Sequence, residues 1–139
     1  MTRRPDRRSR LFPVATWLAL AGIGALVGGA ALAAFLLGSD GAEQQTMAFA
    51  TIALAELALV YSLRSGLQPA WRATRNPYLA AAVGLSALLV ALAVYLPALQ
   101  GTLGGVALPA PRLATVLVLA LVPAAGAELA KSVARRLLR

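Results

Sequence analysis

Apolar residues run along this chain in four long blocks, separated by short segments rich in Gly, Pro and charge. The blocks extend from Phe12 to Gly38, Thr46 to Leu63, Tyr78 to Pro97 and Leu113 to Ser132. A helix rises about 1.5 Å per residue and needs about 20 apolar residues to cross the hydrocarbon core of a bilayer, so each block is long enough to span one. A soluble bundle of the same helices would leave none with a polar face to meet water. A membrane β-barrel would need sustained alternation of polar and apolar positions, which the blocks lack. The pattern predicts an all-α, polytopic membrane protein of four transmembrane helices, with residues 1–139 forming a single four-helix domain.

The connecting segments support these spans. Gly38 and Gly41 break the first helix in "LGSDGAE", Pro69 and Pro77 punctuate "LQPAWRATRNP", and "LPALQGTLGGVALPAPR" reads as the last loop. Trp71, Tyr78 and Tyr95 fall near predicted interfaces, where amphipathic rings are favoured. In "GIGALVGGA", Gly24 and Gly28 are four residues apart and share a helix face, which lets another backbone approach closely. A cleaved signal peptide is the rival for the first block, but its apolar core of about 7–15 residues is shorter than Phe12 to Gly38.

Composition sharpens the picture mainly through charge. Of the 139 residues 60% are hydrophobic and 13% charged, the formal net charge is +8, and there is no Cys or His. All but one of the 13 basic residues fall in three places. Arg3, Arg4, Arg7, Arg8 and Arg10 precede the first helix, Arg64, Arg72 and Arg75 lie between the second and third, and Lys131, Arg135, Arg136 and Arg139 close the fourth. The other two loops hold Arg112 alone, with Asp40 and Glu43. Basic residues are retained on the cytoplasmic side during insertion, so a multi-pass protein of the cell membrane with both termini cytoplasmic is expected. The same clusters are accounted for by topology and lipid headgroups, with no need of nucleic acid.

Two acids lie within the spans. Glu56 sits near the middle of "TMAFATIALAELALVYSLRS", and its neighbours at three and four positions, Ile52, Ala53, Leu59 and Val60, are all apolar. A charged carboxylate there costs about 2.5–3.5 kcal/mol on insertion scales. It therefore needs a partner on another helix, a bound cation, or a proton that neutralises it. Glu128 is followed three residues later by Lys131 near the end of the fourth span, an ordinary ion pair whose members can reach headgroup water.

The runs "MTRRPDRRSRLFP", "QQTMAFATIALAELALVYSLRS", "NPYLAAAVGLSALLVALAVYLPALQGTLGGVAL" and "LVPAAGAELAKSVARRL" together resemble the C-terminal transmembrane domain of a P-type cation-transporting ATPase of the calcium-pump type. In that family this part forms helices seven to ten. The more specific points are Thr46-Met47-Ala48, Arg64-Ser65, Asn76, Tyr95 with Pro97 and Gln100, and Pro123 through Glu128 and Lys131. The resemblance implies that Glu56 stands where the eighth helix can carry a cation-ligating glutamate, making it the candidate metal residue. It also implies lipid and the remaining pump domains as partners, and a transported cation, calcium among the candidates, in the full assembly. Leu59 stands where the family usually has an asparagine, and Gly66 where it has a glutamate. Family members have a methionine at about the position of Met1, so an internal place in a longer gene is compatible with it.

A calcium ion takes six to eight oxygens, of which one carboxylate supplies at most two. The fourth, fifth and sixth helices that complete the family's site have no counterpart here, nor does the phosphorylated Asp-Lys-Thr-Gly-Thr segment. The sequence thus offers no catalytic residue and no cofactor site of its own. The expectation is a membrane subdomain that packs against transport helices and contributes one carboxylate. The alternatives are an independent four-helix transporter exchanging protons for cations at Glu56, and an assembly subunit that transports nothing.

Overall fold

The computed structural model describes residues 14–65, 68 and 76–137. The arginines before the first helix, Trp71, Arg72, Arg75 and Arg139 lie outside the described residues. Five helices follow one another, α1 (Val14–Leu37), α2 (Gly41–Arg64), α3 (Pro77–Tyr95), α4 (Pro97–Leu103) and α5 (Ala110–Leu137). Four of them, all but α4, are long and apolar enough to cross a membrane.

The helix ends follow local chemistry. Asp40 is the N-cap of α2, its carboxylate accepting from the amides of Ala42 and Glu43, so α2 begins five residues before the apolar block. Gly38 makes the turn into it possible, because a Cβ there would lie 2.8 Å from the backbone of Gln44. Asn76 caps α3 in the same way, with Pro77 in the first turn, where its missing amide is no loss.

The loop expected after the third span contains a helix instead. Leu96, held extended ahead of Pro97, ends α3 short of the predicted Pro97, and Pro97 then opens α4. Gly104 closes α4 at φ 67, a left-handed conformation that glycine adopts without strain. The chain from Gly105 to Pro109 crosses to α5 as a strap. It is held by Thr46 Oγ1, which accepts from the Val106 amide at 3.0 Å, and by Tyr95, whose hydroxyl donates to the Leu108 carbonyl at 3.0 Å.

α1, α2 and α5 pack on one another, while α3 touches α2 and α4. The core is built largely of small side chains, Ala30, Ala31 and Ala34 from α1, Ala50 and Ala55 from α2, and Ala120 and Ala127 from α5, with Met47 and Val116 filling the space between. Lipid chains are as apolar as leucine, so membrane helices gain from close van der Waals approach, which small residues permit. At the α1–α5 crossing Leu26 Cδ1 occupies the place where Gly126 would carry a Cβ. In contrast, Val94 is the one buried residue of α3, and Tyr78, Leu85, Leu88 and Leu89 are exposed.

Candidate functional site: a lone carboxylate and two polar clamps on one helix

α2 carries most of the described polar chemistry, on two different faces. Its buried stripe is Glu43, Thr46, Met47, Ala50, Thr51, Ala55, Leu59 and Ser62. Glu56 lies off that stripe, on an exposed face shared with Phe49, Ile52 and Val60. No hydrogen bond or ion pair reaches it among the described residues, and no group of three or more His, Cys, Asp or Glu that could hold a metal forms among them. The fold therefore presents this carboxylate outward in the middle of an apolar helix surface. Gly24 and Gly28 of α1 are also exposed, with nothing within 4 Å of the place a Cβ would take. α1 and α2 form an antiparallel hairpin, so at 1.5 Å per residue Gly24 and Glu56 both lie about 21–23 Å from its turn, at the same depth.

The stripe itself is held at both ends by charge. At the first turn of α2, Glu43 Oε2 accepts from the Ser39 amide at 2.6 Å and Oε1 pairs with Arg112 Nε at 3.2 Å, while Arg112 Nη2 donates to Ser39 Oγ at 2.8 Å. At the last turn, Ser62 Oγ donates to Glu128 Oε1 at 2.7 Å, and Lys131 Nζ donates to the same oxygen at 2.8 Å. Lys131 also reaches the Ser62 carbonyl and Ser65 Oγ. Both clamps join α2 to α5, N-terminal end to N-terminal end and C-terminal end to C-terminal end, which makes the two helices parallel.

The expected Glu128–Lys131 pair is present, at 2.8 Å, but not in the expected surroundings. Lys131 is buried rather than extended toward headgroup water, because the end of α2 covers it and supplies acceptors there. The pairing of Glu43 with Arg112 was not anticipated. Asp40 followed three residues later by Glu43 is a capping signature that marks the first as a helix start, yet nothing local points to Arg112. An open groove of about 510 Å³ lies between α1 and α5, walled by Ala19, Gly22, Ile23, Ala127 and Ala130, with Lys131 its one charged wall residue.

Four apolar helices, a mid-span carboxylate with no bonded group among the described residues and an acid–lysine pair near the end of the last helix are the features of a multi-pass membrane protein. Residues 1–133 match the family described as "Cation transporting ATPase, C-terminus", and the chain belongs to that family. No curated protein and no solved structure matches it. It is the C-terminal membrane region of a cation-transporting ATPase, and so part of a larger, multi-pass pump with further domains and lipid around it.

Proposed function

We propose that the chain is the equivalent of helices seven to ten of a calcium-type pump, that it packs against the transport helices, and that it lends Glu56 to their cation site. The observation that carries this reading is the placement of Glu56. A mid-span carboxylate costs about 2.5–3.5 kcal/mol, and here no group within the described chain offsets it. An acid so placed serves a partner outside the chain. The exposed Gly24 of α1, at the same depth, leaves room for a helix backbone to approach the bundle at that level. Calcium is the first cation to test, since its oxygen-rich sphere suits a carboxylate.

The test is cation-dependent ATPase activity of the assembled pump as a function of cation concentration. Glu56→Gln keeps one carbonyl acceptor and loses the charge, so the half-maximal concentration should rise; Glu56→Ala should raise it further. Equal half-maximal concentrations in wild type and both variants would remove Glu56 from the site. The proposed orientation has both termini and the 64–75 connection in the cytoplasm, which the arginine distribution supports. Single cysteines at Ser39 and Thr102 should then react with an impermeant reagent applied outside, and one at Ser65 should not; the opposite pattern would invert the topology.

A further inference from the structure

Lys131 is 7% exposed, and its ammonium has three protons to donate. Four acceptors from three segments surround it. They are the Ser62 carbonyl in the last turn of α2, Ser65 Oγ at the C-cap (2.8 Å), the Gln68 carbonyl just beyond (3.4 Å), and Glu128 Oε1 on its own helix (2.8 Å). The last carbonyls of a helix have no partner within it and carry the negative end of its dipole. In α2 they meet a cation delivered by another helix, so Lys131 acts as a C-cap supplied from α5.

Arg112 makes the matching contact at the other end of α2, again from α5. Lys131 and Ser62 are 69 positions apart in the chain, and so are Arg112 and Glu43. The basic residues on α5 and their partners on α2 thus have the same axial spacing, and the parallel helices are joined at both ends without slip. One clamp would fix a point on α2; two fix its axis. Glu56 lies between them, about 9 Å along the helix from Ser62.

We propose that Lys131 is a positioning residue. By holding the carbonyl end of α2 against α5 it sets the depth and rotation of α2 in the bundle, and through them where the Glu56 carboxylate is presented. The pinning of α2 stands on its own geometry; its effect on cation binding rests on the function proposed for Glu56.

Two readouts on the assembled pump separate these. Cysteines at the exposed positions Val60 and Leu129, also 69 apart and so level with each other, carry spin labels for distance measurement. The cation titration is run on the same variants at equal amounts of folded protein. Lys131→Met should shift or broaden the distance and raise the half-maximal cation concentration roughly tenfold, equivalent to about 1.4 kcal/mol, with the maximal rate changed less than about twofold. Lys131→Arg keeps the charge and the donors and should stay within about threefold of wild type. An unchanged distance in the Met variant overturns the pinning. A changed distance with an unchanged half-maximal concentration, where Glu56→Gln does raise it, overturns the link to Glu56. If Glu56→Gln is itself silent, the function proposed for Glu56 fails, and the distance alone decides the role of Lys131. Should the Met variant not assemble, Ser65→Ala removes one acceptor without stranding a charge and must shift the distance in the same direction; no shift overturns the proposal.

Discussion

Three glutamates lie in the membrane-spanning helices, Glu43 in the first turn of α2 and Glu56 and Glu128 further along, and the fold treats the last two oppositely. Glu128 on α5 accepts from Ser62 and Lys131 at 2.7 and 2.8 Å, so its charge is balanced inside the bundle. Glu56 on α2 points away from the buried stripe and has no bonded group among the described residues. The first acid joins helices that are already present. The second bonds nothing among the described residues and carries an insertion cost, a combination that the function proposed for it would explain. The difference lies in the surroundings of the two carboxylates, since the residue type is the same.

The same substitution at both positions should therefore give opposite results. Glu128→Leu removes the acceptor and leaves Lys131 buried with its negative partner gone, and breaking one side of a buried pair costs about 3–5 kcal/mol. Glu56→Leu breaks no hydrogen bond or ion pair among the described residues and removes an acid from mid-span, so the bundle should gain up to about 2–3 kcal/mol. Detergent or thermal unfolding of the chain in lipid nanodiscs measures both. A loss of stability in Glu56→Leu comparable to that in Glu128→Leu would show that Glu56 is bonded within the bundle, and the contrast between the acids would be gone.

Much of the architecture was legible because it depends on local features. The lengths of the apolar blocks located the four long helices, and Gly38, Gly41 and Pro77 marked the breaks between them, while the caps Asp40 and Asn76, which act over only three or four residues, went unread. The short helix α4 was hidden because Pro97 and Gly101 read as loop punctuation, although Pro in a first turn starts a helix as readily as it ends one. What could not be read was which face of α2 turns inward. Every neighbour of Glu56 at three and four positions is apolar, so nothing local sets this acid apart from the inward-facing Thr46, Thr51 and Ser62. Side-chain size decides instead, as Ala50 and Ala55 allow close packing while Phe49 and Ile52 stay outside. The clamps were equally hidden. The partners of Arg112 and Lys131 on α2 lie 69 positions away, and the local Glu128–Lys131 spacing suggested a surface pair.

The buried face of α2 holds one polar atom that the clamps do not serve. Thr51 is fully buried, and its hydroxyl has no hydrogen-bond partner among the described residues, not even the carbonyl one turn back that a helical threonine often uses. A buried hydroxyl left without a partner costs about 1–3 kcal/mol, whereas an apolar group of the same shape in its place carries no such cost. Thr51→Val keeps the branched shape and exchanges the hydroxyl for a methyl. It should stabilise the bundle by about 1 kcal/mol, the smallest effect expected among these substitutions, measured by the same unfolding experiment. A destabilisation of similar size would mean that the hydroxyl is bonded after all, through a buried water or a neighbouring carbonyl, and that the inward face of α2 carries a polar contact in mid-span as well as at its ends. A fully satisfied inner face, set against an outer face with a lone acid, requires destabilisation, which would make Thr51 a structural bond in mid-span. With stabilisation, Thr51 joins Glu56 as a polar group of α2 retained in mid-span at a cost.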